Sequence, residues 1–242
     1  NFNKNLEDDL ILSNLAYCLG LSDYFSQILF KYPDIKKDIL DWISIGLKGK
    51  FDKHDKCFVD KSLNEKLSKK LNKITKKIKS SQDNLEDNIG GLLSLFREFR
   101  HDVMTKILVS DFLGFCDCAK TIKRLSSLAD VCLLKSLSIL QKIYKQDFLI
   151  LCMGKLGCGE LNFSSDIDLI FCVTDNSFDI KKAMPMAQKI IQILNQNTVD
   201  GFGFRVDMRL RPFGNAGALV LSDKQFSDYL TKDARPWERY VV

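Results

Sequence analysis

The chain has 242 residues, of which 45% are hydrophobic by count, and a formal net charge of +5. That length suffices for one large domain or two small ones, and no apolar run reaches the roughly 18–20 residues of a membrane span. The modest charge argues against a dedicated nucleic-acid binder, and the first residues do not read as a secretory signal. The chain starts at Asn1 rather than Met and stops at Val242 within a motif, so a piece of a longer protein is expected. Eight cysteines (Cys18, Cys57, Cys116, Cys118, Cys132, Cys152, Cys158 and Cys172) lie in apolar stretches. Cys116 and Cys118 are too close for a usual zinc pair, and only His54 and His101 could assist. Buried thiols in a reducing cytoplasm are therefore expected.

Residues 1–47 carry helical spacing, with Leu10, Leu12, Leu15 and Leu19, then Phe25, Ile28 and Leu29. Pro33 interrupts it, and Ile35, Ile39, Trp42 and Ile43 mark another helix with Trp42 in the core. Lys48 to Lys79 holds twelve lysines. They are spread round a helix whose apolar stripe is Leu63, Leu67, Leu71, Ile74 and Ile78, so a solvated face is expected rather than a binding patch. SQDNLEDNIG (81–90) reads as a loop or helix start, and Leu92 to Leu108 as a helix. His101 on that helix has no visible nucleophile partner and reads as a surface or packing residue. After Gly114, a further helix is expected over Leu125 to Ile143. The division that follows is a helical region, 1–145, and a catalytic core, 146–242, incomplete at its carboxyl end.

Chemistry concentrates in FLILCMGKLGCGELNFSSDIDLIFCV, Phe148 to Val173. An apolar run leads to a glycine turn at Gly154, Gly157 and Gly159, then a strand from Asp166 to Val173. Strand side chains alternate between faces, so Asp166 and Asp168 point together while Ile167, Leu169 and Phe171 enter a core. Two carboxylates on one face repel unless a positive charge intervenes, and hard oxygen ligands suit magnesium or manganese. Asp179 can cap a helix running to about Asn197. Gly201 and Gly203 then turn the chain into a strand, Arg205 to Leu210. Beside the first strand, that strand would add Asp207 to the acidic cluster. Three such carboxylates could hold two cations roughly 3.5–4 Å apart, the clamp for in-line displacement at phosphorus. The glycines allow backbone N–H groups close to a phosphate. Lys155 adds a point charge, and Arg209 and Arg211 are suited to phosphate by their forked donors. The phosphate-binding candidates are Gly154, Lys155, Gly157, Ser164, Ser165, Arg209 and Arg211. The candidates for catalysis and metal binding are Asp166, Asp168 and Asp207.

GKLGCGELNFSSDIDLIF, then TVDGFGFRVDMRLRPFGNAGALV and PWERY, resemble the glutamine synthetase adenylyltransferase family, a branch of the polymerase-beta-like nucleotidyltransferases. Upstream, SDYFSQILFKYPDI and LFREFRHDVMTKILVSDFLG are similar to that family's helical segments, so the resemblance covers essentially the whole chain. It implies an α+β fold, a mixed nucleotidyltransferase sheet with helices preceded by a helical region. It implies magnesium or manganese, with ATP, ADP, AMP and phosphate as substrates or products. It implies glutamine synthetase and a nitrogen-signalling regulatory protein as partners, in the cytoplasm, with no membrane or nucleic acid. The ELNFSSDIDLIF and WERY wording is similar to the family's amino-terminal, adenylyl-removing half, whose reaction is phosphorolysis of adenylylated glutamine synthetase to give ADP. The alternatives are ATP-dependent adenylylation by the same site, a nucleic-acid nucleotidyltransferase, and a non-catalytic nucleotide-sensing module. Two positions depart from the family pattern: Cys158 stands where glycine is usual, and NAGAL lacks a usual basic or hydroxyl residue and a proline.

Overall fold

The computed structural model describes residues 2–50, 58, 60–78, 82–174 and 179–239. His54, Cys57, Tyr240 and part of the loop after Val173 lie outside them. Among the described residues, six α-helices come first: α1 (Phe2–Leu21), α2 (Asp23–Lys31), α3 (Pro33–Leu47), α4 (Asp60–Ile78), α5 (Gln82–Phe112) and α6 (Cys118–Tyr144). Their limits follow from local chemistry. Ser22 caps α2 by accepting from Phe25 N at 3.2 Å, and Pro33 opens α3 where its missing N–H costs nothing. Asp117 caps α6 by accepting from Lys120 N at 2.7 Å, so this helix starts seven residues before the Leu125 expected from periodicity. The segment expected as a loop or helix start, 81–90, is helical from Gln82, and α5 runs through Gly90 and Gly91 without a break.

Helix α5 is the axis of this array. Phe96, Phe99, Val103 and Ile107 are buried along it, and Trp42 of α3 packs nearby with its Nε1 donating to Ser110 Oγ at 3.1 Å. The stripe of α4, Leu63, Leu67, Leu71 and Ile78, is buried, while Lys61, Lys69, Lys73, Lys76 and Lys77 are exposed; the half-buried Lys70 pairs with Glu98 at 2.5 Å. Lys66 and Lys106 both reach the buried Asp102, at 2.5 and 2.7 Å. Among the described residues, no helix is long and apolar enough to cross a membrane.

A four-stranded mixed sheet follows: β1 (Leu149–Met153), β2 (Ile167–Val173), β3 (Val206–Asp207) and β4 (Val220–Ser222). Strand β2 is central. It pairs antiparallel with β1 on one edge, Met153 opposite Asp168. On the other edge it pairs parallel with β3 at its start and with β4 at its end. A one-turn helix α7 (Gly154–Gly157) joins β1 to the loop before β2. Helix α8 (Ile180–Asn195), capped by Asp179, covers one sheet face with Ala183, Met186, Ile190 and Ile193, and α9 (Asp223–Lys232) lies at the other. Ile167, Leu169 and Phe171 are fully buried toward the helices, as the alternation requires, while Ile170 and Cys172 pack with Phe226 of α9.

The junction between helices and sheet is polar and satisfied. Arg97 of α5 is fully buried, and its guanidinium donates to Ile193 O at 2.8 Å, Leu93 O at 3.0 Å, Gly201 O at 3.0 Å and Gln196 O. It thus fills the orphan carbonyls at the end of α8. His101, one turn on, donates from Nε2 to Asp200 O at 2.9 Å, since a carbonyl can only accept, and its Nδ1 accepts from Tyr24 Oη at 2.8 Å. Asp200 itself takes Lys31 Nζ at 2.7 Å, Tyr32 Oη at 2.6 Å and Ser94 Oγ at 3.1 Å, and these, Lys31 first, hold its carboxyl down at about 2. His101 is a buried packing residue rather than a surface one.

Arg97→Leu should lower the unfolding free energy by roughly 3–5 kcal/mol, because four carbonyls lose a hydrogen bond from its guanidinium, and Arg97→Lys should recover only part of it; urea unfolding measures both. Burial depresses the His101 pKa from 6.5 to about 4. A depressed folded-state pKa contributes stability that is full above the unfolded value and lost as pH falls toward the folded one. The loss should therefore run from about pH 6.5 down to about 4 and amount to about 3 kcal/mol. Urea midpoints across that range should show the slope, and His101→Gln should flatten it.

Candidate active site

The end of β1, the α7 turn and the start of β2 meet at one rim of the sheet. Gly154 has φ +55, and a Cβ there would stand 2.9 Å from Asp168 Oδ2. Only glycine accepts both the left-handed backbone and the close approach of that carboxylate. Gly157 is equally confined, with Cys152 O 2.5 Å from a built Cβ. Cys158 sits in the ordinary right-handed region at φ −84, so cysteine fits there without strain. The following loop is held from both sides. Leu161 N donates to Ser126 Oγ of α6 at 3.1 Å, and Asn162 Oδ1 accepts from Ser164 N and Ser165 Oγ at 3.0 and 2.9 Å.

The third acid arrives from β3. The end of α8 positions that strand: Leu194 O accepts from Gly203 N and Phe204 N, both at 2.8 Å, and Asn195 Oδ1 from Val206 N at 3.2 Å. Ile167 N donates to Arg205 O at 2.9 Å, and Asp168 and Asp207 are register partners across the parallel ladder. Asp166 sits one residue before β2. The strand expected over Arg205 to Leu210 is only Val206–Asp207. Arg209 N turns back to Asp207 Oδ1 at 2.8 Å, and this side-chain turn ends the ladder.

Charge explains how the carboxylates are arranged. The Asp168 carboxyl is pushed up, first by burial and then by the neighbouring charges of Asp207 and Asp166. Asp207 is held down, first by its hydrogen bonds from the Arg209 side chain, whose Nε lies 2.7 Å from Oδ2. Asp166 accepts from Arg205 Nε, while Arg205 Nη2 donates to Ser164 O. Arg205 was not among the sequence candidates; its partner lies 39 residues away, and only the β2–β3 pairing brings them together. Arg211 is engaged with loop carbonyls, Met208 O at 2.7 Å, Asn215 O at 3.3 Å and Gly217 O at 3.4 Å. Lys155 is exposed beside the glycine turn, and Ser164 and Ser165 lie in the loop ahead of Asp166.

Among the described residues, no three acidic, histidine or cysteine side chains close into a metal cage; Asp166 and Asp207 are each turned to an arginine. The donor set nevertheless fits a hard divalent ion: Asp166 just before β2, Asp168 on it and Asp207 on the adjoining strand, with the Asp168 carboxyl pushed up by burial and then by its like-charged neighbours.

A small mixed sheet with a glycine turn, an Asp-x-Asp strand and a third Asp on the adjoining strand, behind a helical array, defines a nucleotidyltransferase-like protein. Residues 12–242 match the family described as glutamate-ammonia ligase adenylyltransferase. The chain belongs to that family. It is 34% identical to the bifunctional glutamine synthetase adenylyltransferase/adenylyl-removing enzyme of Shewanella oneidensis, over 94% of this chain and 24% of that relative. The chain thus spans about a quarter of the length of that relative.

Gly154→Ala should cost roughly 1–3 kcal/mol, from the left-handed backbone and the contact with Asp168. Gly90→Ala, in open space on α5, should be neutral or stabilise by up to about 1 kcal/mol. Thermal unfolding of the two variants side by side checks this contrast.

Proposed function

We propose that this chain carries the adenylyl-removing site of a bifunctional regulator of glutamine synthetase, acting by phosphorolysis. The observation that supports it most is the register of Asp168 against Asp207, with Asp166 at the same rim. The likeness of Glu160 to Phe171, and of the segment from Pro236, to the family's amino-terminal half supports this direction. In the reaction, an oxygen of inorganic phosphate bonds to the AMP phosphorus. The bond from that phosphorus to the tyrosine oxygen breaks in line, and the tyrosine takes a proton from solvent. The products are ADP and unmodified synthetase.

Asp166, Asp168 and Asp207 would hold magnesium or manganese, and such an ion supplies charge stabilisation to the attacking and leaving oxygens. The chain's own groups bind and orient. Lys155 is exposed and makes no ion pair among the described residues, so its charge is open to a phosphate. Ser164 and Ser165 offer hydroxyls from the loop that precedes Asp166. Arg209, 72% exposed at its side chain, can exchange Asp207 for a phosphate oxygen when the carboxylate takes another partner. Arg211 supports the turn that carries Arg209. Positioning and electrostatics carry phosphoryl transfer, so the neutral, buried His101 is not needed as a base. Glutamine synthetase and a nitrogen-signalling protein are the proposed partners, and the cytoplasm the proposed location.

The relative's name joins both activities, so the forward transfer from ATP is the second reading. Incubating the chain with adenylylated glutamine synthetase, magnesium and phosphate should release ADP, at least a hundredfold slower in Asp166→Asn. Pyrophosphate from ATP and unmodified synthetase, with no ADP in the first reaction, would reverse the direction. The absence of both products would contradict the reading.

A further inference from the structure

A half-open cleft of about 500 Å³ lies where α2 and α5 meet the loops at 163–164 and 199–202. It falls within the size range of small-molecule sites. Its walls are largely apolar, with Ile28, Met104, Leu108 and Phe163, and the exposed Gln27 stands at its edge. Its charges do not balance. Lys31 is matched by Asp200, whose two oxygens are taken by Lys31, Tyr32 and Ser94. His101, in the same wall, is neutral at ordinary pH because burial depresses it to about 4. Arg100 remains. It makes no ion pair among the described residues, its Nε is buried without a hydrogen-bond partner, and its Nη1 reaches only Tyr24 Oη at 3.2 Å. Its guanidinium carbon stands 5.6 Å from the ring centroids of Tyr24, Phe202 and Phe204. Aromatic faces offset part of the desolvation of a cation but carry no net charge.

We infer that this cleft is a binding site for a small organic monoanion, a carboxylate with an apolar or aromatic body, held by Arg100 and acting on the acidic site as an effector. One uncompensated cation calls for one negative charge, and the forked guanidinium suits a carboxylate. The apolar walls call for the body.

The link to the acidic site is short. Phe163 and Ser164 form part of the cleft wall, and Ser164 O accepts from Arg205, which also holds Asp166. Phe202 carries Arg100 at 5.6 Å and Arg205 at 5.9 Å from its centroid. A ligand that draws Arg100 or presses on Phe163 therefore acts on the residue that restrains Asp166. The site stands apart from the direction of the reaction proposed above, and it is read by binding alone.

The chain is titrated calorimetrically with indole-3-propionate and, separately, with its neutral amide. The carboxylate should bind at least tenfold more tightly than the amide, and Arg100→Gln should erase that difference. Gln27→Trp, which fills the mouth from an exposed position, should abolish binding while leaving the melting temperature unchanged. The arginine Nε signal of Arg205 should shift in nitrogen NMR when the carboxylate is added. Equal binding of acid and amide, binding of neither, or undiminished binding in both variants would overturn the site. A fixed Arg205 signal at saturation would overturn its role as an effector site.

Discussion

Strand β3 is two residues long, and two ladder pairs cannot by themselves hold a strand in place. Its position depends on Arg97. That side chain collects the carbonyls of Ile193, Gln196 and Gly201, so it fixes the end of α8 and the turn that follows as one unit. Leu194 and Asn195 then deliver Phe204 and Val206 to the edge of β2. A buried arginine is costly to desolvate, and burial indeed pushes its pKa down. The cost is tolerable because its donors meet fixed carbonyl dipoles at a helix end, where negative partial charge collects. The helical array is thus part of the acidic site: through Arg97, α5 fixes the end of α8 that delivers Asp207 opposite Asp168.

The site itself is an electrostatic compromise. Three carboxylates at one sheet rim repel, and the burial of Asp168 increases the penalty. Arg205 and Arg209 each neutralise one outer acid and leave the central one unmatched. This arrangement has two consequences. Both arginines are exposed, so neither ion pair is locked in place by burial. The central acid remains the group most in need of a cation, and this makes the rim suited to a hard divalent ion rather than to a static ion-pair network.

Much of this was legible in the sequence, for identifiable reasons. Alternation in Ile167, Leu169 and Phe171 gave the buried face of β2, because a central strand leaves little freedom in which side chains point inward. The glycine at 154 was legible as a turn, but its specific duty, making room for Asp168 Oδ2, depends on a distance that spacing cannot supply. The length of β3 was overestimated because alternation continues through Met208 and Leu210, while the turn of Arg209 N onto Asp207 competes with the ladder. Arg205, Arg97 and Arg100 were passed over for a shared reason. An arginine's partner is fixed by tertiary contact, and nothing in local periodicity separates a solvated guanidinium from one that clamps carbonyls.

The central claim is that the β2–β3 register builds a divalent-cation site from Asp166, Asp168 and Asp207. Titration with Mn²⁺, followed by electron paramagnetic resonance, tests it without any catalytic readout. Wild-type protein should bind saturably, and Asp168→Asn and Asp207→Asn should each weaken binding at least tenfold, while Asp228→Asn on α9 should change nothing. Affinity unaltered in the first two variants, or no saturable binding to the wild type, would contradict the account.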